Sequence, residues 1–171
     1  MRAAGPASEP LEQHETGAAA AVRAARLAAH LDAGRDVALL CEGDPLFYGS
    51  FMHMWRRLAG EFPVEVVPGV TGMSGCWTRA GTPITWGDDM LAVLPGTLGE
   101  SELVERLRLT DAAVIMKVGR NLAKVRRAVD AAGLLSRAIY VERGTMPEER
   151  ITRLADKRDD NKPNNNNKKK K

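Results

Sequence analysis

The chain has 171 residues, 44% of them hydrophobic, which suffices for one good core or two small ones. Its formal net charge is +3, but residues 157–171 alone hold seven basic and two acidic groups, so the body carries 18 basic against 20 acidic side chains. That balance gives no electrostatic footprint for nucleic acid, and the sequence shows neither a signal-peptide-like apolar block nor a run long enough to span a membrane.

Residues 1–16 mix Gly, Pro and Glu without periodicity and read as a loose segment. Residues 17–33 have helical spacing, with Val22, Ala25 and Ala29 on one stripe, Leu27 and Leu31 beside it, and Gly34 just past the end. Val37 to Cys41 is a continuous apolar run, as expected of a strand covered on both faces. Asp44-Pro45 predicts an N-cap and a first helical position, and Phe47, Phe51, Met54 and Leu58 carry that helix to Gly60. Pro63 to Val67 predicts the next strand, Thr71 to Ala80 a short helix, and Pro83 to Gly87 a crossing segment.

A second series follows. It predicts a strand from Asp89 to Leu94, a Pro95-Gly96 turn, a helix from Glu100 to Leu109 and a strand from Ala112 to Lys117. Asn121 caps a helix ended by Gly133, Ala138 to Glu142 is a strand, and Ile151 to Leu154 begins another. Strand–helix alternation predicts an α/β fold with parallel or mixed sheets and flanking helices. The break near residue 87 divides it into lobes at 17–87 and 88–156. Residues 157–171, rich in Asn and Lys, are expected to be disordered.

Two apolar runs break into Gly/Pro turns close together in sequence, at Cys41-Glu42-Gly43-Asp44-Pro45 and at Val67-Pro68-Gly69-Val70-Thr71-Gly72. They are expected side by side at the carboxyl edge of one sheet, where open α/β folds bind small ligands. Cys41 and Cys76 read as buried free thiols, which suits the cytoplasm. His14, His30 and His53 are scattered, with no metal-ligand spacing.

The stretch Cys41 to Met52 resembles the tetrapyrrole methyltransferases, and three further stretches share the resemblance: Val93 to Thr97, Ala113 to Asn121, and Tyr140 to Arg150. The last two, containing Lys-Val-Gly-Arg-Asn and Glu-Arg-Gly-Thr-Met-Pro-Glu-Glu-Arg, are the more specific and are similar to the branch that methylates precorrin-2 at C20. The likeness covers about residues 17 to 154. It implies two α/β lobes, S-adenosylmethionine as methyl donor, C-methylation of a tetrapyrrole in the corrin pathway, and a homodimer; the residues themselves lead to the expectation of a cytoplasmic protein without metal, membrane or nucleic-acid partners. It places cofactor contacts at Glu42, Gly43, Asp44, Phe47, Thr71, Gly72, Val118 and Gly144. Lys117, Arg120 and Arg143 are candidates to face the substrate's carboxylates. No residue is singled out as the catalytic base, and no Ser/His/Asp or Cys/His arrangement points to covalent catalysis.

The family also opens on a strand ending in Gly-x-Gly-Pro-Gly and runs on past the position of Leu154. Both sheets are therefore expected to lack members and to leave open edges. Plainer readings stand beside the cofactor roles: Asp44 as a helix cap, Glu42 as a solvated loop acid, Gly69 and Gly72 as turn glycines. Two other functions stay open. One is a non-catalytic remnant of such an enzyme. The other is a ribosomal RNA ribose methyltransferase of the same fold, which the acidic body disfavours.

Overall fold

A computed structural model describes residues 17–157. The loose segment expected at 1–16, His14, and all but the first residue of the expected tail lie outside them. The chain divides into two compact units between Gly72 and Met73, not near residue 87. The helix that follows Gly72 belongs with the later residues because its Cys76 and Arg79 pack on and bond to the segment 144–149.

The first unit holds helices α1 (Gly17–Asp32) and α2 (Phe51–Leu58). α1 ends as its sequence predicts: Arg35 N–H donates to the His30 carbonyl at 3.1 Å and Gly34 N–H to that of Leu31 at 2.9 Å, the paired bonds of a glycine C-cap. Its buried face is not the Val22/Ala25/Ala29 stripe. Ala20 and Ala24 are buried with Leu27 and Ala28 against Met54, Leu58 and Phe62, while Val22 is 62% exposed. The large Leu27 decides the rotation, and the alanines on its side let α2 come close.

The expected helix start at Asp44 is displaced. Tyr48, with φ +54°, interrupts any right-handed helix there. α2 therefore begins at Phe51, and Phe47 lies outside it. The two expected strands, Val37 to Cys41 and Pro63 to Val67, form no ladder among the described residues. A groove of about 720 Å³, lined by both segments and by Leu27, Leu31, Met54 and Leu58, takes the place of a ladder. Without a neighbouring strand Leu40 is 92% exposed, and Cys41 is exposed rather than buried.

The second unit follows its sequence closely. α3 (Gly72–Arg79) leads to β1 (Leu91–Pro95), α4 (Glu100–Arg108), β2 (Ala112–Met116), a 3-10 turn at Gly119–Asn121 and α5 (Leu122–Ala131). β1 and β2 pair in parallel, Leu91 with Ala112 through Pro95 with Met116, and α4 makes the crossover that parallel pairing requires. A second 3-10 turn, Leu135–Arg137, precedes β3 (Ile139–Glu142), which pairs antiparallel with β4 (Arg150–Arg153). The fold is α/β with parallel and antiparallel pairs. Leu94, Leu103, Leu107, Leu122, Val125 and Val129 form its core. Leu103 is fully buried, and a buried leucine contributes about 1.5–3 kcal/mol.

Candidate functional site

In the first unit the two glycine turns do meet. Gly43 has φ +73°, a backbone state that favours glycine. A methyl group built on it would stand 3.6 Å from the Val70 carbonyl and 3.7 Å from the Gly72 nitrogen. One on Gly69 would run into the Gly43 carbonyl, so Gly69 is set by close approach of backbone to backbone. Asp44 joins the turns through its carboxylate. Oδ1 accepts the Leu46 N–H at 2.9 Å, and Oδ2 accepts the Gly69 N–H at 3.1 Å. The expected capping role becomes a local turn plus a brace across 25 residues of chain.

Gly72, the first residue of α3, has nothing within 4 Å of where its Cβ would stand. It is thus an open surface beside Gly43, at a helix start whose N–H groups are not all used within the helix. Glu42 is exposed, and Phe47 and Thr71 are half-buried. Phe47 packs its ring edge to face on Tyr48 at 4.9 Å.

Val118, Gly144, Lys117, Arg120 and Arg143 belong to the second unit. Lys117 and Val118 follow the carboxyl end of β2, and Arg143 and Gly144 follow that of β3. Gly96 closes against the β2 end: its N–H donates to the Met116 carbonyl at 2.6 Å, and a methyl group on it would stand 3.0 Å from that oxygen. Val118 is half-buried against the core, and Lys117, Arg120 and Arg143 are exposed. The glycine at 144 is required by packing, since a methyl there would lie 2.8 Å from Cys76 Sγ and 3.1 Å from Val141 Cγ1. Lys117, Arg143 and Thr145, none a glycine, have left-handed backbones (φ +57°, +50° and +71°). Such strain concentrates at functional turns.

Sequence reasoning missed the arrangement beneath Gly144. Glu149 accepts the Thr145 N–H at 2.6 Å and a forked pair of bonds from Arg79 Nε at 2.9 and 3.0 Å. The Arg79 guanidinium, then the Thr145 N–H, hold the Glu149 carboxyl below the usual carboxylate range. Burial, and then the Glu149 charge, push the Cys76 thiol up, so it stays protonated and is a poor nucleophile. The signal was present only as the spacing of Thr145 and Glu149, i and i+4 in a turn-rich block. Among the described residues no group of three or more His, Cys, Asp or Glu could hold a metal ion, and no helix is long and apolar enough to cross a membrane.

The geometry defines an α/β protein whose first unit brings two glycine turns together. The sequence profile of the Tetrapyrrole (Corrin/Porphyrin) Methylases matches residues 2–156, and the chain belongs to that family. It is 64% identical over 137 residues to the precorrin-2 C(20)-methyltransferase of a Sinorhizobium species, covering 80% of this chain and 56% of that protein. It is 52% identical over 131 residues to the cobalamin biosynthesis protein CobIJ of Mycobacterium tuberculosis H37Rv, covering 77% of this chain and 26% of CobIJ. The chain thus spans about half the length, or less, of these relatives. The crystal structure of the cobalt precorrin-4 methyltransferase CbiF shares the fold, with a TM-score of 0.63 at 23% identity over 78% of this chain and 61% of CbiF.

Proposed function

We propose that this protein is an S-adenosylmethionine-dependent C-methyltransferase acting at C20 of precorrin-2, or its cobalt form, in cobalamin biosynthesis. The observation that carries the reading is the 64% identity over 137 residues to a precorrin-2 C(20)-methyltransferase. The paired turns at Gly43 and Gly72 support it from the side of the fold.

When bound, S-adenosylmethionine supplies an activated sulfonium methyl group. The chain's own residues then have positional tasks. Gly43 and Gly72 admit the donor to backbone polar groups, Glu42 and Thr71 offer side-chain oxygens, and Phe47 and Val118 give apolar contact. Asp44 keeps the two turns together. Gly144 presents backbone at the end of β3. Lys117, Arg120 and Arg143 pair with substrate carboxylates, a task that suits exposed cations beside strand ends. Positioning of two reactants can supply roughly 7–11 kcal/mol of rate enhancement. In the same reading the protein works in the cytoplasm as a homodimer.

Calorimetric titration with S-adenosylhomocysteine tests the donor site. Saturable micromolar binding supports the reading, and absence of binding refutes it.

A further inference from the structure

We propose that Glu149 is a positioning residue: its carboxylate holds the Gly144–Thr145 turn in its left-handed form and thereby sets the protein's affinity for the methyl donor. The second half of this statement rests on the reading of Gly144 as a donor contact.

The first observation is strain. Thr145 has φ +71° and Arg143 has φ +50°, so the residues on both sides of Gly144 are left-handed without being glycine. For a β-branched residue such as threonine this state is a genuine outlier. Conformations of this kind persist only where their surroundings over-determine them.

The surroundings can be named. Met146 N–H donates to the Arg143 carbonyl at 3.0 Å and Glu149 N–H to that of Met146 at 3.1 Å, so two successive turns fold Glu149 back toward Thr145. Its Oε2 accepts the Thr145 N–H at 2.6 Å. Arg79 orients the carboxylate from α3, with Nη2 at 2.8 Å in addition to the two Nε contacts. Charge-assisted bonds in forked geometry fix direction as well as distance.

Packing closes the remaining freedom. A methyl group on Gly75 of α3 would stand 2.9 Å from Thr145 Cγ2, and one on Gly144 would stand 2.8 Å from Cys76 Sγ. The turn is therefore seated on the α3 stretch that also carries Arg79. The Glu149 side chain is 12% exposed and that of Arg79 57%. With its Arg79 end in solvent the ion pair alone contributes little to stability, so the bond to the Thr145 backbone is what gives this one a role.

Two measurements on the full chain test the proposal, using Glu149→Ala, Glu149→Gln and the double variant Glu149→Ala/Thr145→Gly. The first needs no ligand: amide exchange and the backbone scalar coupling of Thr145 by NMR. In Glu149→Ala the Thr145 amide should exchange at least tenfold faster and its coupling should leave the left-handed value, while Glu149→Gln, which keeps an acceptor, stays closer to wild type. Unchanged exchange and coupling in a folded Glu149→Ala protein overturn the proposal.

The second is the dissociation constant for S-adenosylhomocysteine. Glu149→Ala should weaken binding by about 5- to 100-fold, the factor set by releasing one left-handed non-glycine residue. Adding Thr145→Gly, which adopts positive φ without strain, should restore much of it. Unchanged affinity in Glu149→Ala, or no recovery in the double variant, overturns the link from turn to donor. If wild type binds no S-adenosylhomocysteine, the proposed function and that link both fail, while the Thr145 measurement still decides whether Glu149 holds the turn.

Discussion

The Asp44 carboxylate accepts the Gly69 N–H at 3.1 Å while its other oxygen takes that of Leu46 at 2.9 Å. One side chain thus sets the shape of its own turn and ties it to a second turn 25 residues away. Asp44→Ala should cost about 2 kcal/mol, the scale of hydrogen bonds to a charged acceptor. It should also weaken S-adenosylhomocysteine binding more than Asp44→Asn does, because the amide keeps one acceptor oxygen. Chemical unfolding and calorimetry together check both effects.

Gly69 and Gly72 make opposite predictions. A methyl group at 69 meets the Gly43 carbonyl, so Gly69→Ala should separate the turns and destabilise the fold by about 1–3 kcal/mol, as overpacking does. At 72 the space is open, and Gly72→Ala should lie within about 0.5 kcal/mol of wild type or be slightly more stable. If that space belongs to the donor, Gly72→Ala should nonetheless bind S-adenosylhomocysteine more weakly.

The two units differ in how their apolar side chains are used. Leu103→Ala should cost about 2–5 kcal/mol through the cavity it leaves. Leu40→Ser, at a position 92% exposed, should change stability by no more than about 0.5 kcal/mol. Guanidinium unfolding midpoints of the two variants separate a buried leucine from an unpaired one.

Acid should loosen the second unit through its paired carboxylates. Arg79, followed by the Thr145 N–H, lowers the Glu149 pKa, and Arg127 lowers that of Glu100. A carboxyl depressed in the folded state stabilises the fold above the unfolded chain's ordinary range, and that contribution is lost as pH falls through the folded value. The thermal midpoint of wild type should therefore drop on acidification into and below the carboxylate range. Glu149→Gln should show a shallower drop. Equal slopes for both proteins would remove Glu149 from the account.

How far the fold was legible depended on whether a segment's neighbour was present. Leu91–Pro95 and Ala112–Met116 are apolar runs that find each other, and the expectation of strands held. Val37 to Cys41 and Pro63 to Val67 are equally strand-like, yet they form no ladder among the described residues. Composition reports what a segment would bury, not whether a partner stands beside it. In α1, alanines surround the whole helix, so periodicity could not choose between the Val22 side and the Leu27 side.

The site was legible as a set of turns but not as a set of bonds. Gly43 and Gly69 stand out because Gly/Pro turns punctuate apolar runs, and the structure gives each a distinct reason to be glycine. Glycine at 144 looks the same in sequence, yet Cys76 enforces it, from a helix about seventy residues earlier. Nothing local to Glu149 announces that Arg79 will orient it. Such pairings arise only once the chain has folded.

The most direct test supplies precorrin-2 and methyl-labelled S-adenosylmethionine to the purified protein and follows label into the macrocycle by mass spectrometry and NMR. One methyl group should be added per macrocycle, at C20, with transfer reduced in Gly72→Ala. Saturable donor binding without any methylation of the tetrapyrrole, or methylation at another carbon, would contradict the proposed function.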